Sequence, residues 1–250
     1  MMDEQLKKRA EDLAGRCEKS ASVTSSTFLT PAQVYELSSW APYALDCNIL
    51  FRGGGAENER KVAFFLPAWM DEADFSPDGE ICALEITTRF GTLGHRDCLG
   101  AVLGLGIQRE WLGDILIEGQ KAYLFCLPSV KQHILLSLDK VGRNGVKVRE
   151  IPLSEVPQQE KRLREQVFSV KSLRLDAVCA GMFGLSRTAA SEAICAGSVT
   201  LNYSVCEKPD MPVRSGDILS LRGKGKGCVL DAGGSESRKG RLFVKTGIYI

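Results

Sequence analysis

The sequence lacks the cysteine and histidine spacing that most metal sites and disulfide frameworks require. Its nine cysteines include no C-x-x-C pair and are odd in number, and only two histidines, His95 and His133, could assist them. Most of the cysteines have apolar neighbours, as in Phe125-Cys126-Leu127, where a reduced thiol acts as a small hydrophobic group. These features predict buried, reduced cysteines, a reducing compartment and no bound metal.

The sequence also lacks a hydrophobic run long enough to cross a membrane. The longest apolar run, from Val62 to Met70, is interrupted by Pro67 and is far shorter than the roughly 20 residues that a spanning helix needs. Residues 1–17 mix charges with scattered leucines and do not form the continuous apolar stretch of a secretory signal. We therefore expect a cytoplasmic protein that does not contact membranes.

There is little net charge, +1, but it is unevenly distributed along the chain. Residues 168–250 carry 12 Lys and Arg against 7 Asp and Glu, whereas residues 1–167 carry 20 against 24. Cationic surfaces bind polyanions because phosphates release their counterions on contact. The excess predicts polyanion binding in the C-terminal part, although a chance excess that forms only a solvated surface is the alternative.

The first part of the chain predicts a small α/β unit over residues 1–78. A first helix is indicated by apolar residues three and four positions apart, at Leu6, Ala10, Leu13 and Cys17. Thr30 and Gln33 flank Pro31 as in a capping box, which predicts a second helix that runs to about Trp40. The apolar segment Lys61 to Leu66 predicts a buried strand.

Residues 79–158 predict a ferredoxin-like, RRM-like domain with the order βαββαβ. The predicted elements are strand 81–87, helix 96–104, strands 114–118 and 121–126, helix 129–138, and strand 146–151 after a turn at Asn144-Gly145. Tyr123 and Phe125 lie two positions apart on one face of a strand, where aromatics of such domains stack bases. The alternative is that they are ordinary strand residues, because the full aromatic consensus is absent.

A charged, proline-containing connector is expected at 159–168, followed by a C-terminal domain at 169–250. In that domain, one helix opens at residues 172–176 and is expected to close at Gly181. Ser186 is a plausible N-cap for a second helix, and short strands follow.

Four spaced motifs in this domain resemble the small RNA-binding domain named after ribosomal protein S-four. They are Leu173-Arg174-Leu175-Asp176, Leu185-Ser186-Arg187-x-x-Ala190, Ala196-Gly197-x-Val199-x-Leu201-Asn202 and Gly216-Asp217-Ile218. The resemblance implies two helices packed against a small sheet, with the second helix and its adjoining loops lying along helical RNA. Independently of it, Arg187 in the first turn of a helix suits phosphate, because the free amides and the guanidinium fork both bind anions.

We expect the RNA contacts of the C-terminal domain to come from its basic and polar residues. The expected residues are Arg174, Ser186, Arg187, Asn202, Lys208, Arg222, Lys224, Lys226 and Arg241. Gly223 to Gly227 predicts a flexible basic loop and no nucleotide-binding loop, since it lacks the G-K-[ST] ending. For each of the loop cations, a solvated surface charge is the alternative.

The segment from Gly94 to Ile115 resembles the central motif of the YlmH family, and the resemblance extends over nearly the whole chain. The motif reads Gly94-His95-Arg96-Asp97-x-Leu99-Gly100-Ala101-x-Leu103-Gly104-x-Gly106-Ile107-x-Arg109-Glu110-x-Leu112-Gly113-Asp114-Ile115. Members of this family are three-part bacterial proteins, with plastid relatives, and are linked to the large ribosomal subunit that carries peptidyl-tRNA after stalled synthesis. The resemblance therefore implies ribosomal RNA, the large subunit and tRNA as partners, and the plastid stroma as location in a photosynthetic eukaryote.

No catalytic residues, metal ligands or cofactor-binding residues are predicted. His95-Arg96-Asp97 resembles a kinase catalytic loop, but Val102 stands where the required Asn belongs and no D-F-G follows. The alternatives left open are an RNA-modifying enzyme, either a pseudouridine synthase or a methyltransferase, and a scaffold at the division machinery. A second RNA or ribosome contact is expected at His95, Arg96, Arg109, Tyr123 and Phe125. Taken together, the sequence predicts a monomeric, non-enzymatic α+β protein that binds RNA.

Overall fold

The computed structural model describes residues 3–55, 57–158, 162–236 and 240–249. It divides into two compact units, Met1–Gln159 and Glu160–Ile250. Both combine helices with antiparallel sheets, so the predicted α+β class is confirmed.

The first part of unit 1 is a three-stranded antiparallel sheet with two helices. Its elements are α1 (Glu4–Ser20), β1 (Thr24–Leu29), α2 (Pro31–Trp40), β2 (Asn48–Arg52) and β3 (Lys61–Leu66), with strand order β1-β3-β2. The predicted capping box is present, because the Thr30 hydroxyl accepts from the Gln33 amide and the Gln33 side chain accepts from the Thr30 amide. Leu6, Ala10 and Cys17 form the buried face of α1, as their spacing predicts.

The second part of unit 1 is a five-stranded antiparallel sheet with two helices. Its elements are β4 (Cys82–Thr88), α3 (His95–Leu103), β5 (Leu112–Glu118), β6 (Lys121–Cys126), α4 (Pro128–Ser137), β7 (Lys140–Val141) and β8 (Asn144–Ile151). The strand order β5-β6-β4-β8-β7 confirms the split βαβ arrangement, to which β7 adds a short edge strand. Asn144 and Gly145 lie inside β8 and do not form the predicted turn, which is made by Gly142, with φ 60°, and Arg143.

Both faces of the β4–β8 sheet are buried, at least in part. Leu84, Ile86 and Leu124 face α3 and α4 in one hydrophobic cluster. On the opposite face, Phe125 belongs to a cluster that also contains Phe28 of the first sheet. The two predicted N-terminal domains, 1–78 and 79–158, thus share apolar contacts within one compact unit. Their boundary stays a prediction.

Unit 2 is a six-stranded antiparallel sheet with two helices on it. Its elements are β9 (Leu163–Val170), α5 (Leu175–Phe183), α6 (Arg187–Cys195), β10 (Val199–Leu201), β11 (Ser204–Val205), β12 (Ile218–Leu221), β13 (Gly225–Glu236) and β14 (Leu242–Tyr249). The strand order is β11-β10-β12-β13-β14-β9. The predicted connector at 159–168 therefore differs from the structure, since residues from Leu163 onward form an edge strand that pairs with β14. Residues 159–161 lie outside the described part of the chain.

Gly181 lies inside α5 and does not end it, contrary to the prediction. A Cβ at this position would lie 2.3 Å from Cδ2 of Phe168, so the glycine lets the ring of β9 approach the helix backbone. The helix ends at Gly184 instead, whose left-handed φ of 65° makes it the C-cap.

Most of the cysteines lie in the hydrophobic clusters, as predicted. Burial raises the pKa of the Cys126 thiol to about 12 and those of Cys98 and Cys179 to about 11, so these thiols are protonated at neutral pH. Cys195 is exposed. Among the described residues, no helix is long and apolar enough to cross a bilayer.

Candidate nucleic-acid interface

The N-terminal turn of α6 presents Arg187 to solvent. Ser186 has the extended backbone of an N-cap, and its hydroxyl accepts a hydrogen bond of 3.1 Å from the Ala189 amide. Arg187 occupies the first helical position, where backbone amides have no acceptor within the helix. Ser186, Arg187 and Thr188 are all exposed. The predicted cap is confirmed, and it fixes the start of α6 and so the backbone position of Arg187.

A buried carboxylate, that of Asp176, holds two arginines side by side. Arg174 donates from Nε and Nη2 over 3.2 and 3.3 Å, and Arg187 donates from Nε over 3.2 Å and from Nη2 over 3.1 Å. The Asp176 side chain is 8% exposed, whereas those of Arg174 and Arg187 are 41% and 54% exposed. We call these three residues the arginine clamp.

The clamp carries a net charge of +1, because one carboxylate offsets one of its two cations. Burial alone would raise the pKa of Asp176, but the hydrogen bonds and charges of Arg174 and Arg187 outweigh it and hold the pKa below its usual range. Each guanidinium has a third nitrogen, Nη1, that makes no hydrogen bond within the described residues. The clamp thus weakens the local field but leaves oriented donors at the surface.

The turn between β12 and β13 carries two further exposed cations, Arg222 and Lys224. The Arg222 amide donates to the carbonyl of Ser198, just after α6, so the turn lies beside the C-terminal end of that helix. Arg187 lies at the other end, about 13 Å away for a nine-residue helix. The predicted cations are therefore spread along α6 and do not form a single cluster.

Lys226 lies in strand β13, opposite Ser220, and not in the predicted flexible loop. Its ammonium group is 5.8 Å from the ring centroid of Tyr203 and 5.1 Å from that of Tyr249, within the range of cation–π attraction. Lys226 is half-buried by these contacts, so it is less available to phosphate than Lys224.

Asn202 shapes a turn, contrary to the prediction that it contacts RNA. Its side chain is buried and is used on both sides: Nδ2 donates to Asp217 over 2.8 Å, and Oδ1 accepts from the Ile218 amide over 2.9 Å. Its φ of 49° is in the left-handed region, which asparagine tolerates better than most residues. Lys208 and Arg241 are exposed, but the Arg241 guanidinium donates to the Ser169 carbonyl at the sheet edge.

Tyr123 and Phe125 cannot stack bases in this structure, which corrects the prediction for the second contact. Tyr123 is 5% exposed and Phe125 is fully buried. A Cβ at Gly54 would lie 2.4 Å from the Phe125 ring, so the N-terminal part of unit 1 packs directly on it. The aromatic pair is core, which is the alternative that the sequence left open.

Arg109 is also structural. Its guanidinium donates to the carbonyls of Leu112 and Gly113 over 2.7 and 3.0 Å, and burial lowers its pKa. His95 and Arg96, by contrast, are exposed at the start of α3 and stay candidates. Among the residues that the structure describes, no group of three His, Cys, Asp or Glu side chains is placed to hold a metal.

Asp176 is a candidate site residue that is absent from the residues expected from the sequence, and its hydrogen bonds to Arg174 and Arg187 bring it into the site. In the sequence, Asp176 stands out only as part of a helix opening and of the motif Leu173-Arg174-Leu175-Asp176. The available signal was an acidic residue two positions after Arg174 in an otherwise cationic segment.

Comparisons with known proteins divide the chain in the same way as its fold. Residues 71–155 match a family model described as "Putative RNA-binding domain in YlmH", and residues 173–219 match the "S4 domain". The chain is 33% identical over 205 residues to "Ribosome-associated protein quality control protein P2" of Bacillus subtilis (strain 168), which covers 80% of this chain and 77% of the relative. The chain belongs to the YlmH family. The predicted family and its RNA-binding character are therefore confirmed, and the arginine clamp lies within the S4 match of this YlmH-family chain.

A solved structure, "Cell division protein ylmH from Streptococcus pneumoniae", has a similar fold. The TM-score is 0.53 at 22% identity, over 61% of this chain and 93% of that one. At this identity the similarity supports the YlmH-family fold alone.

Proposed function

We propose that the chain is a non-catalytic protein that binds structured ribosomal RNA on the large subunit carrying peptidyl-tRNA, in the rescue of stalled translation. The observation that carries the proposal is the arginine clamp, two guanidinium groups held at the start of a helix within an S4-type domain. The protein acts in the cytoplasm as a monomer, or in the plastid stroma of a photosynthetic eukaryote.

The chemistry of the clamp suits the backbone of folded RNA. A guanidinium is planar, always charged and able to donate two parallel hydrogen bonds to a phosphate. Because the Asp176 carboxylate already fixes both guanidinium planes, less side-chain freedom is lost on binding. Arg222 and Lys224 extend the cationic surface along α6 toward a second stretch of backbone.

The name of the relative from Bacillus subtilis supports the ribosomal part of the proposal, since that protein is described as ribosome-associated and as part of quality control. The match of residues 71–155 supports a second RNA contact outside the S4-type domain, for which His95 and Arg96 are the exposed candidates.

Co-sedimentation with purified ribosomal subunits tests the proposal. We expect the chain to sediment with large subunits at low salt, more strongly when they carry peptidyl-tRNA after stalling, and to be released as salt rises. Arg187→Ala and Lys224→Ala should weaken binding and reduce the salt slope by about 1 for each lost phosphate contact.

Lys245→Ala is the matched control, because Lys245 is a partly exposed cation of the same unit that pairs with Glu165 over 2.8 Å. It should leave the slope unchanged. If Arg187→Ala and Lys224→Ala behave like this control, the clamp surface does not contact RNA.

A role at the division machinery is a second candidate, favoured by the name of the streptococcal structure. It predicts binding to division proteins and no ribosome-dependent sedimentation. The enzyme alternative predicts modified nucleotides that are missing from the RNA of a deletion strain, whereas our proposal predicts that none is lost.

A further inference from the structure

The five-stranded sheet of β4 to β8, called the middle sheet below, packs one of its faces on the N-terminal part of unit 1. Along the strands, the side chains on this face change from apolar to cationic. In the first cross-strand row, Phe125, Ala83 and Ile151 are buried. In the next, Glu85 is 5% exposed and accepts hydrogen bonds from Lys121 and Arg149 over 3.1 and 2.7 Å. The last row is open, and there Thr87 stands between Lys121 and Lys147.

An exposed aromatic residue, Phe90, follows directly beyond the open row. Phe90 is 79% exposed, on the loop that joins β4 to α3. Thr88 holds its backbone, because the single hydroxyl proton can be donated to the carbonyl of Phe90 or of Gly145, over 3.0 and 3.2 Å, and the hydroxyl oxygen accepts from the Phe90 amide over 3.4 Å. The Asn144 side chain donates to the Thr92 carbonyl over 3.4 Å, so the Phe90 loop and the β7–β8 turn lie side by side.

Cations that form no ion pair among the described residues lie on the same loop as this aromatic residue and on the elements next to it. Arg89 precedes it, Arg143 lies in the adjacent turn and Lys147 is in the open row. All three are exposed, and none of them forms an ion pair among the described residues. His95 and Arg96, at the start of α3, follow the same loop. We call Arg89, Phe90, Arg143 and Lys147 the loop patch.

We propose that the loop patch binds an unpaired segment of RNA, with a base stacked on Phe90 and the flanking phosphates on the three cations. An exposed aromatic ring among cations is the arrangement that binds single strands, because every base offers a flat face and every linkage a charge. A duplex offers no free base face, so the patch should distinguish unpaired from paired RNA. The inference rests on the proposed function, in which the arginine clamp binds the structured part of the same RNA.

Two RNA probes separate the two contacts. One is a blunt hairpin and the other is the same hairpin with a 3′ tail of about ten uridines, comparable to known single-strand site sizes. We expect the full chain to bind the tailed hairpin more tightly, and Phe90→Ala to remove this advantage, which amounts to about tenfold for one stacked base. Binding to the blunt hairpin should not change. Arg187→Ala should weaken both probes by the same factor.

Leu136→Ala is the matched control, because Leu136 is 78% exposed on α4 in the same domain and lies outside the loop patch. It should keep the tail advantage. Phe90→Trp should keep it as well, and its added indole fluorescence should be quenched by the tailed probe only. Arg143→Ala should reduce the salt slope of the tail contribution by about 0.7, the value for one phosphate of a single strand.

The outcomes separate the two proposals. If the full chain binds the blunt hairpin and Phe90→Ala keeps the tail advantage, or if the tail gives no advantage at all, the loop patch does not bind unpaired RNA, while the proposed function stands. If neither probe binds at low salt, the proposed function fails and the inference fails with it. Loss of the tail advantage in both Phe90→Ala and Leu136→Ala also overturns the inference, since the effect would then not be specific to the patch.

Discussion

The middle sheet and the C-terminal helix pair contain the same local arrangement in different surroundings. In each, an acidic residue that is 5% exposed as a whole bridges two cations at the surface: Glu85 with Lys121 and Arg149, and Asp176 with Arg174 and Arg187. The carboxylate of the first lies beside the buried ring of Tyr123, and that of the second lies next to the exposed start of α6.

Under the proposed function, an ion-pair cluster by itself does not mark a nucleic-acid interface. Both clusters have one net positive charge, but only the arginine clamp combines two planar guanidinium groups with a helix N-terminus. In the middle sheet the equivalent network borders the contact with the N-terminal part, and the loop-patch cations, which form no ion pair among the described residues, lie beyond it.

The largest expected effect tests whether the middle sheet face is core. Phe125→Ala should lower the free energy of unfolding by about 3–5 kcal/mol, because it removes a fully buried ring and leaves a cavity. Chemical denaturation measures this change, with Tyr43→Ala as the control, since Tyr43 is 92% exposed. If Phe125→Ala kept full stability but lost RNA binding, the aromatic pair would be an interface after all.

The next effect tests the packing that supports the clamp in unit 2. Gly181→Ala should destabilise the unit by about 1–3 kcal/mol, because its Cβ would overlap the Phe168 ring in a closely packed site. The matched control is Gly100→Ala in α3, where a Cβ meets nothing within 4 Å and helix propensity favours alanine by up to about 1 kcal/mol. Equal and favourable effects of both substitutions would contradict the close approach of β9 to α5.

Gly181 also shows which features of the fold can be predicted from the sequence and which cannot. Periodicity, capping residues and turn residues predict nine of the twelve helices and strands described in unit 1, because those signals lie within a few residues of each other, but they do not predict β1, β2 or β7. The sequence assigned Gly181 to a helix end because glycine commonly caps helices, and only the position of Phe168, which comes from a strand 13 residues earlier in the chain, explains it.

The candidate site was only partly predictable, for a related reason. Family motifs indicate Arg174 and Arg187, but the burial of Asn202, Tyr123 and Phe125 depends on tertiary packing that alternating polarity does not reveal. The same holds for the hydrogen bonds of the half-buried Arg109. Strand β9 was missed because Glu165, Gln166 and Arg164 make it look like a charged connector, whereas its pairing partner is the last strand of the chain.

A smaller expected effect is a difference in RNA affinity between substitutions of the two carboxylates, Asp176 and Glu85. Asp176→Asn should release the orientation of Arg174 and Arg187, and so lower the affinity for a structured RNA several-fold relative to a flexible polyanion such as heparin. Glu85→Gln, the matched substitution in the middle sheet, should leave this ratio unchanged. Fluorescence anisotropy competition measures both ratios. The opposite pattern would assign the structured-RNA contact to the middle sheet.

The smallest expected effect is the dependence of stability on pH. The hydrogen bond from Arg149 is the main reason that the pKa of Glu85 lies below its usual range, with Lys121 adding to it against the effect of burial. A lowered carboxyl pKa stabilises the fold above the ordinary value of about 4.3 and loses this contribution as pH falls through the lowered value. Glu85→Gln should therefore lower the unfolding midpoint by a few degrees at pH 7, and the difference from wild type should vanish in strong acid. A difference that grows on acidification would show that the pKa is raised instead.

The pairing of β9 with β14 determines how the C-terminal module can be handled as a separate piece. Leu163 is the register partner of Tyr249, so the first and last strands of the unit close the same edge. A fragment cut at residue 169 would keep both helices but expose β14 and remove the Phe168 ring from α5, which favours edge-to-edge aggregation. A fragment that begins at residue 162 keeps the edge closed. Because its two ends meet, this piece also suits transfer into a loop of another protein as a portable RNA-binding insert.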